Sequence, residues 1–292
     1  SYTINTRIHD FLKSYNFKYF TIDFLNEPDI FYELCHYDYS IVANILLKIK
    51  HPQIQLKCKQ NIILVCVQKC NIEILKSLLN KKEYDVNAKS IVTLKNANNY
   101  QEFSALNAAV NSENEEIIPI LLNHESINVN SICTTKLFEK EGTLIVKKAP
   151  LNSSIQFGNI IITKMLLDHK RIDVNIDDVI NLNDWMITKM TVLSSAIVEG
   201  NSEIVQILLN RDDINVNRKT ITSFNEKDFS KKIIENSVLH YAIQKNNLEI
   251  IKLLIDSNKI DVNLPEKISS SFIAEAIKSL GSIIIGLIVF CI

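Results

Sequence analysis

Cysteine and histidine are the residues here that could hold a metal or act as nucleophile and base, but their spacing fits neither role. The cysteines stand at 35, 58, 66, 70, 133 and 291, without a Cys-x-x-Cys pair or a zinc-ligand pattern. Cys66 and Cys70 could share a helix face, and packing of small side chains is the simpler interpretation. The histidines, at 9, 36, 51, 124, 169 and 240, include no His-Glu-x-x-His sequence.

Other catalytic and nucleic-acid-binding patterns are missing as well. The chain holds five glycines, none of them in a GxGxxG or P-loop sequence, and no serine lies in Gly-x-Ser-x-Gly. The net charge is -1 over 292 residues, whereas binding to a nucleic-acid backbone calls for a basic surface. We therefore expect no enzyme activity, no cofactor, no metal and no nucleic-acid partner.

Cysteine usage and hydropathy indicate the cellular compartment of the chain. Cysteines without a disulfide framework favour a reducing compartment, so we expect the cytoplasm, with the nucleus as an alternative. No signal peptide is visible at the N-terminus. The apolar stretch 283–292 (IIIGLIVFCI) is shorter than the roughly twenty residues that span a membrane, so we expect no membrane insertion.

A short phrase, Asp/Asn-Val-Asn, recurs along the chain and defines its organisation. Its final asparagines stand at 87, 130, 175, 217 and 263, in steps of 43, 45, 42 and 46. A near-constant period of this length is typical of stacked repeats, in which each unit buries its apolar face against its neighbours. The pattern predicts an array of similar units.

One unit, residues 104–130, shows what each repeat contains. Leu106, Ala109 and Val110 mark one face of a short helix, and Asn114 is suited to cap a second helix. Pro119 in that second helix predicts a bend or a late start. In later units Gly158, Gly200 and Asn246 occupy the inter-helix turn, where a left-handed conformation is expected.

The helix-start sequences carry a family resemblance. They read SALNAA, APLNSS, TVLSSA and SVLHYA, beginning at residues 104, 149, 191 and 237. Together with Asp-Val-Asn, this pattern resembles the ankyrin repeat, whose first helix begins T-P-L-H-x-A. Its Asn/Ile/Lys-rich composition and long insertions are similar to divergent ankyrin repeats of the type expanded in AT-rich protist genomes. The resemblance implies a mostly α fold, an ankyrin-repeat α-solenoid of helix-turn-helix units with extended or hairpin fingers.

The resemblance extends over most of the chain, and we divide it accordingly. Residues 1–28, rich in phenylalanine and tyrosine, are expected to form an aromatic N-terminal cap, with a docking patch as the alternative. About seven units follow, and their predicted boundaries are 29–57, 58–103, 104–148, 149–190, 191–236, 237–270 and 271–292.

Four consecutive fingers are enlarged and mark the expected binding edge. An ordinary unit places about ten residues between the Asn of Asp-Val-Asn and the next helix, whereas residues 88–103, 131–148, 176–190 and 218–236 are longer. The last three carry charges of +2, -2 and +2. Aromatic anchors and lysines in the fingers are candidate protein-binding residues, although each aromatic could instead pack the loops together. These candidates are Trp185, Phe224, Phe229, Tyr100, Phe138, Lys231 and Lys232.

We therefore predict a non-catalytic protein–protein interaction scaffold or adaptor. Ankyrin resemblance implies contact through the fingers and the concave face. The alternative is a regulatory or targeting array of a larger multidomain, membrane-associated protein. The sequence predicts a protein partner without identifying it, and it leaves the oligomeric state open.

Overall fold

The computed structural model describes residues 62–261, apart from 83, 95–97, 140–141 and 226–230. The predicted cap (1–28), the units 29–57 and 271–292, the apolar C-terminal stretch and Phe229 lie outside the described residues. The chain divides into two units, residues 1–90 and 91–292. No helix in the described part of the chain has the length and apolar character needed to cross a membrane.

In the first unit a helix pair occupies the described residues. Helix α1 spans Ile62–Gln68 and α2 spans Ile72–Leu79. Cys66 is fully buried in α1, whereas Cys70 is exposed and left-handed, with φ 54°, at the turn between the helices. Cys66 therefore packs as a small apolar residue, whereas Cys70 lies at the surface.

The second unit repeats the helix pair four times in its described residues. Successive pairs are α3 (Ala105–Asn111) with α4 (Ile117–Leu122), α5 (Pro150–Gln156) with α6 (Ile160–Leu167), α7 (Val192–Glu199) with α8 (Ser202–Leu209), and α9 (Val238–Gln244) with α10 (Leu248–Asp256). The first helices pack side by side in one row, and the second helices in another. Ala109, Ala196 and Ala242 are fully buried, where neighbouring helices approach closely.

Turn and cap residues explain why each pair folds back. Gly158, Gly200 and Asn246 have φ of 66°, 76° and 52°, which confirms the predicted left-handed turns. Glu113 takes the same conformation (φ 50°) at the corresponding position of its unit. Glutamate is strained in this conformation, so at Glu113 the surrounding fold imposes the turn that glycine and asparagine favour in the later units.

Asparagine side chains cap the N-termini of most second helices. The side-chain oxygens of Asn159, Asn201 and Asn247 each accept a hydrogen bond from the backbone N–H three residues on, at 3.0–3.1 Å. Asn114 accepts from Ile117 N–H at 2.9 Å. Helix α4 nevertheless begins at Ile117, three residues after Asn114, so the late start predicted for the Pro119 helix is confirmed.

The Asp/Asn-Val-Asn phrase couples consecutive repeats. The amide of Asn175 donates to the carbonyl of Asp213 at 2.7 Å and accepts from the N–H of Asn215 at 2.8 Å. Asn130 makes the same pair of bonds with Arg171 and Asp173, and Asn217 with Lys259 and Asp261. The first residue of the phrase holds the asparagine in place: Asp173 Oδ1 accepts from Asn175 N–H at 2.8 Å. The three residues of the repeated phrase thus build a bridge of two hydrogen bonds to the next repeat, and the central valine of each described copy is buried.

The fingers form one antiparallel sheet of eight strands in chain order, each hydrogen-bonded to the next. Paired within each finger are β1 (Ser90–Thr93) with β2 (Tyr100–Phe103), β3 (Cys133–Glu139) with β4 (Gly142–Lys148), β5 (Asp178–Leu182) with β6 (Met186–Met190), and β7 (Thr220–Asn225) with β8 (Lys231–Asn236). Strands from neighbouring fingers pair as well, so the sheet is continuous.

The expectation of a mostly α fold is therefore not confirmed for the described residues. The insertions 131–148, 176–190 and 218–236 are rich in β-branched residues, which favours strands over loops. The helix-turn-helix units and their hairpin fingers are present, but the fingers are a sheet in their own right, joined edge to edge.

Candidate functional site: two faces of the finger sheet

Strand register divides the finger sheet into two faces. Because successive residues of a strand point to opposite sides, and paired residues share a side, the pairing from β2 to β8 assigns each residue to a face. One face carries Lys148, Asp178 and Asn236, whose side chains bond to first helices, and we call it the helix-side face. The opposite side is the outer face.

Exposure follows this division closely. Within the described side chains of β2 to β8, every buried residue lies on the helix-side face and every exposed one on the outer face. The exposed residues are Phe138, Lys147, Lys189, Ile221, Asn225 and Ile233. The sheet therefore has one face already packed within the molecule and one open to solvent.

The helix-side face contains an apolar cluster near the finger tips. Met186, Phe224 and Ile234 are 5–6% exposed, and Leu182 packs against them. Trp185, in the turn between β5 and β6, meets the Phe224 ring edge-on, with centroids 5.4 Å apart at an interplanar angle of 68°. This geometry is favourable for aromatic packing and makes Phe224 a core residue of the sheet.

A buried polar row lies at the base of the same face. Asn152 Nδ2 donates to Asp178 Oδ1 at 2.6 Å, and the Lys148 ammonium lies 3.8 Å from Asp178 Oδ2 and donates to Gln156. Burial raises the pKa of Asp178 to about 6, against the opposing effect of Lys148. This row joins the fingers to the first helices.

A second ion pair holds the fourth finger to the third. Arg218 bonds Asp177 Oδ2 at 2.6 Å and also the backbone carbonyl of Asn175. Burial raises the pKa of Asp177, and Arg218 opposes that rise. Asn152 is 1% exposed and bonded to Asp178, so it belongs to the packed interior.

The outer face mixes exposed aliphatic side chains with lysines. One row across the strands reads Lys136, Ile145, Asn181, Ile187, Ser223 and Ile233. The adjacent row reads Thr134, Lys147, Val179, Lys189, Ile221 and Glu235. Ile221 and Ile233 are 40% and 45% exposed. Exposed apolar residues concentrated on one surface are typical of a contact site.

The structure separates the residues that the sequence proposed as binding anchors. Tyr100 and Phe138 lie on the outer face, with the Lys136 ammonium 4.9 Å above the Phe138 ring. Phe224 and Lys232 lie on the helix-side face, and Phe224 is buried. Trp185 is 38% exposed in a turn.

Two further candidates, Phe229 and the side chain of Lys231, lie outside what the structure describes; the backbone of Lys231 begins β8. The protein-binding role of the whole set remains a prediction. Sequence reasoning missed the outer-face isoleucines and lysines. The signal for them was the high content of β-branched residues in the last three insertions, which indicates strands and hence two faces.

No group of three or more metal-ligating side chains occurs among the residues that the structure describes. The model for the family "Ankyrin repeats", in three copies, matches residues 180–266. No curated protein matches the chain in sequence.

Two solved structures share the fold. The ankyrin repeat protein EF0377 is 19% identical with a TM-score of 0.51, and the alignment covers 78% of this chain and 98% of that one. An ankyrin repeat domain from Acinetobacter baumannii AYE is 20% identical with a TM-score of 0.52, over 79% of this chain and 98% of that one. At these identities the likeness concerns the fold alone. Together with the repeats matched over residues 180–266, it shows that the chain has an ankyrin-repeat fold.

Proposed function

We propose that this chain is a non-catalytic protein-recognition scaffold whose partner binds the outer face of the finger sheet. The observation that supports the proposal is the segregation of exposure: exposed apolar side chains in β2 to β8 lie on that face alone. The sequence had suggested the fingers together with the concave face. Burial of Phe224 and Met186 on the helix-side face favours the outer face instead.

The dimensions of this surface suit a protein partner. Seven strands at about 4.8 Å spacing span about 30 Å, and five residues along each strand extend about 17 Å. One partner in a standard protein interface contributes about 800 Å² of accessible surface, which a corrugated face of this size approaches. Within the described residues the surface is one face of a sheet, and such a face suits a macromolecule better than a small ligand, which prefers a concave pocket.

Affinity capture with two matched double variants tests the proposal. The first carries Ile221→Thr and Ile233→Thr on the outer face; threonine preserves β-branching and removes apolar contact area. The control carries Ile161→Thr and Ile255→Thr, two isoleucines that are 52% and 54% exposed on second helices. All proteins must have equal thermal stability before capture from a lysate of the source cells.

We expect at least one captured protein to be lost with the outer-face variant and retained with the control. Retention of every captured protein by the outer-face variant, or equal loss with both variants, would contradict the proposal. A separate Trp185→Ala protein tests the anchor that the sequence proposed, because this ring is partly exposed at a finger tip.

A further inference from the structure

The charge pattern of the outer face defines the chemistry of a partner. Lys147 in β4 and Lys189 in β6 both pair with Val179 in the intervening strand β5. They therefore stand on the same face, two strands or about 10 Å apart, with an aliphatic side chain between them. Both lysines are exposed, and neither makes an ion pair within the described residues.

Aliphatic side chains surround these two cations. Ile145 and Ile187 occupy the neighbouring row, and Ile221 follows Lys189 on the next strand. A partner that covers this surface removes water from the lysines, so unpaired ammonium groups would oppose its binding. Carboxylates placed opposite them would remove that cost and steer the encounter.

The margins of the patch limit its positive charge. Glu102 in β2 and Glu235 in β8 lie at opposite ends of the lysine row, and Glu235 pairs with Lys219 at 3.5 Å. The net charge of the chain is -1. A small basic centre with acidic margins and aliphatic neighbours suits a short acidic-apolar segment better than a long phosphate backbone, which favours extended basic tracks.

We propose that the outer face recognises an acidic protein segment whose carboxylates stand about 10 Å apart with aliphatic residues between them. The inference rests on the proposed function, because it names the kind of partner for the same surface. Lys147 and Lys189 pair with the carboxylates, while Ile187 and Ile221 contact the aliphatic residues. Lys136 is partly engaged by the Phe138 ring and has a secondary role.

Binding of three fluorescent probes tests the inference by anisotropy. The first is a peptide of about twelve residues repeating glutamate-valine-valine, which at about 3.3 Å per residue spaces its carboxylates about 10 Å apart and is long enough to cross the sheet. The second repeats lysine-valine-valine, and the third is a single-stranded oligonucleotide of similar length. The proteins are wild type, Lys147→Glu/Lys189→Glu, and the control Lys164→Glu/Lys252→Glu, which reverses two lysines on second helices.

We expect wild type and control to bind the acidic peptide, and the sheet variant to bind it about tenfold or more weakly while gaining affinity for the basic peptide. Absence of binding to wild type, or equal weakening in control and sheet variants, would overturn the inference. The inference would also be overturned if wild type bound the oligonucleotide more strongly than the acidic peptide and the sheet substitutions abolished that binding. The patch would then recognise phosphates.

A capture arm separates this inference from the proposed function. If the isoleucine variant loses a protein partner but Lys147→Gln/Lys189→Gln retains it at wild-type level, the surface binds protein and the charge inference is wrong. If neither variant loses a partner, the proposed surface itself is wrong. If both variants lose the partner, and cross-linking of the wild-type complex places the contact in an acidic sequence of that partner, the result supports the proposed function and the charge inference.

Discussion

Asp178 illustrates how one residue acquires an unusual property from its surroundings. Its carboxylate is buried where the third finger meets α5, with Asn152 at 2.6 Å and Lys148 at 3.8 Å as partners. These partners offset only part of the cost of desolvating the charge, so its pKa rises to about 6. Protonation would also allow the acid to donate to Asn152 Oδ1, which has no partner among the described atoms.

The raised pKa predicts a pH-dependent contribution to stability. Because the folded state binds the Asp178 proton more tightly, the contribution is fully present below about pH 3.8 and is lost as the pH rises to about 6. One pKa unit corresponds to about 1.4 kcal/mol, which limits the effect to on the order of 3 kcal/mol. The Asp178→Asn protein lacks this titration, so its advantage over wild type should be larger at about pH 7.5 than at about pH 5.

Denaturant unfolding at the two pH values measures the difference, and Asp212→Asn, at an exposed position, is the matched control. Subtracting wild type cancels the titrations of Asp177 and Glu199, whose pKa values are also raised. An Asp178→Asn difference that is identical at both pH values would show that the carboxylate is ionised throughout.

At the scale of the element, helix α5 differs from the other first helices of the second unit in its start. Ser104, Thr191 and Ser237 each accept a hydrogen bond from the backbone N–H three residues on. Ala149 occupies the same position with extended backbone (φ -84°, ψ 159°) but has no side chain to accept. Pro150 supplies a preset φ at the first helical position and partly compensates.

Ala149→Ser should therefore stabilise the protein by about 1 kcal/mol, because the hydroxyl can cap the Asn152 N–H. Burial does not forbid it, since Ser104 and Thr191 are 2% and 4% exposed at the equivalent positions. The reciprocal variant Thr191→Ala should lose about the same amount. Thermal and urea unfolding compare the three proteins, and an unchanged or lower stability of Ala149→Ser would disprove the capping account.

At the scale of the whole molecule, bridges between repeats and the pairing of fingers both propagate order along the chain. Three asparagine bridges in the second unit join consecutive repeats by two hydrogen bonds each, and strand pairing between fingers adds a separate connection. Repeat arrays derive their cooperativity from such nearest-neighbour contacts. Here the contacts lie on both the loop side and the finger side of the stack.

Replacing Asn175 with alanine removes one bridge and should reduce the free energy of unfolding by about 1–2 kcal/mol, because two backbone groups lose their partners at a part-exposed site. Asn123→Ala is the control, since Asn123 is exposed and its side chain makes no hydrogen bond among the described residues. We also expect a lower urea m-value if the repeats uncouple. Equal stability of the two variants would exclude a coupling role for the bridge.

The amino-acid sequence by itself determined the repeat, the helix pairs, the left-handed turns and the caps. These features are local: a glycine at 200 or an asparagine at 201 acts on its own turn, and the period is countable in the letters. The ankyrin resemblance followed from these short-range patterns.

Only the tertiary structure decided what the insertions became and which residues they expose. Alternation within β7 defines two faces, but the choice of Phe224 as buried and Ile221 as exposed depends on which face turns toward the first helices. Likewise, Lys147 and Lys189 come together only because Val179 of β5 pairs with both. The pairing of Lys147 with Val179 joins residues 32 positions apart in neighbouring fingers, so no local pattern in the sequence encodes it.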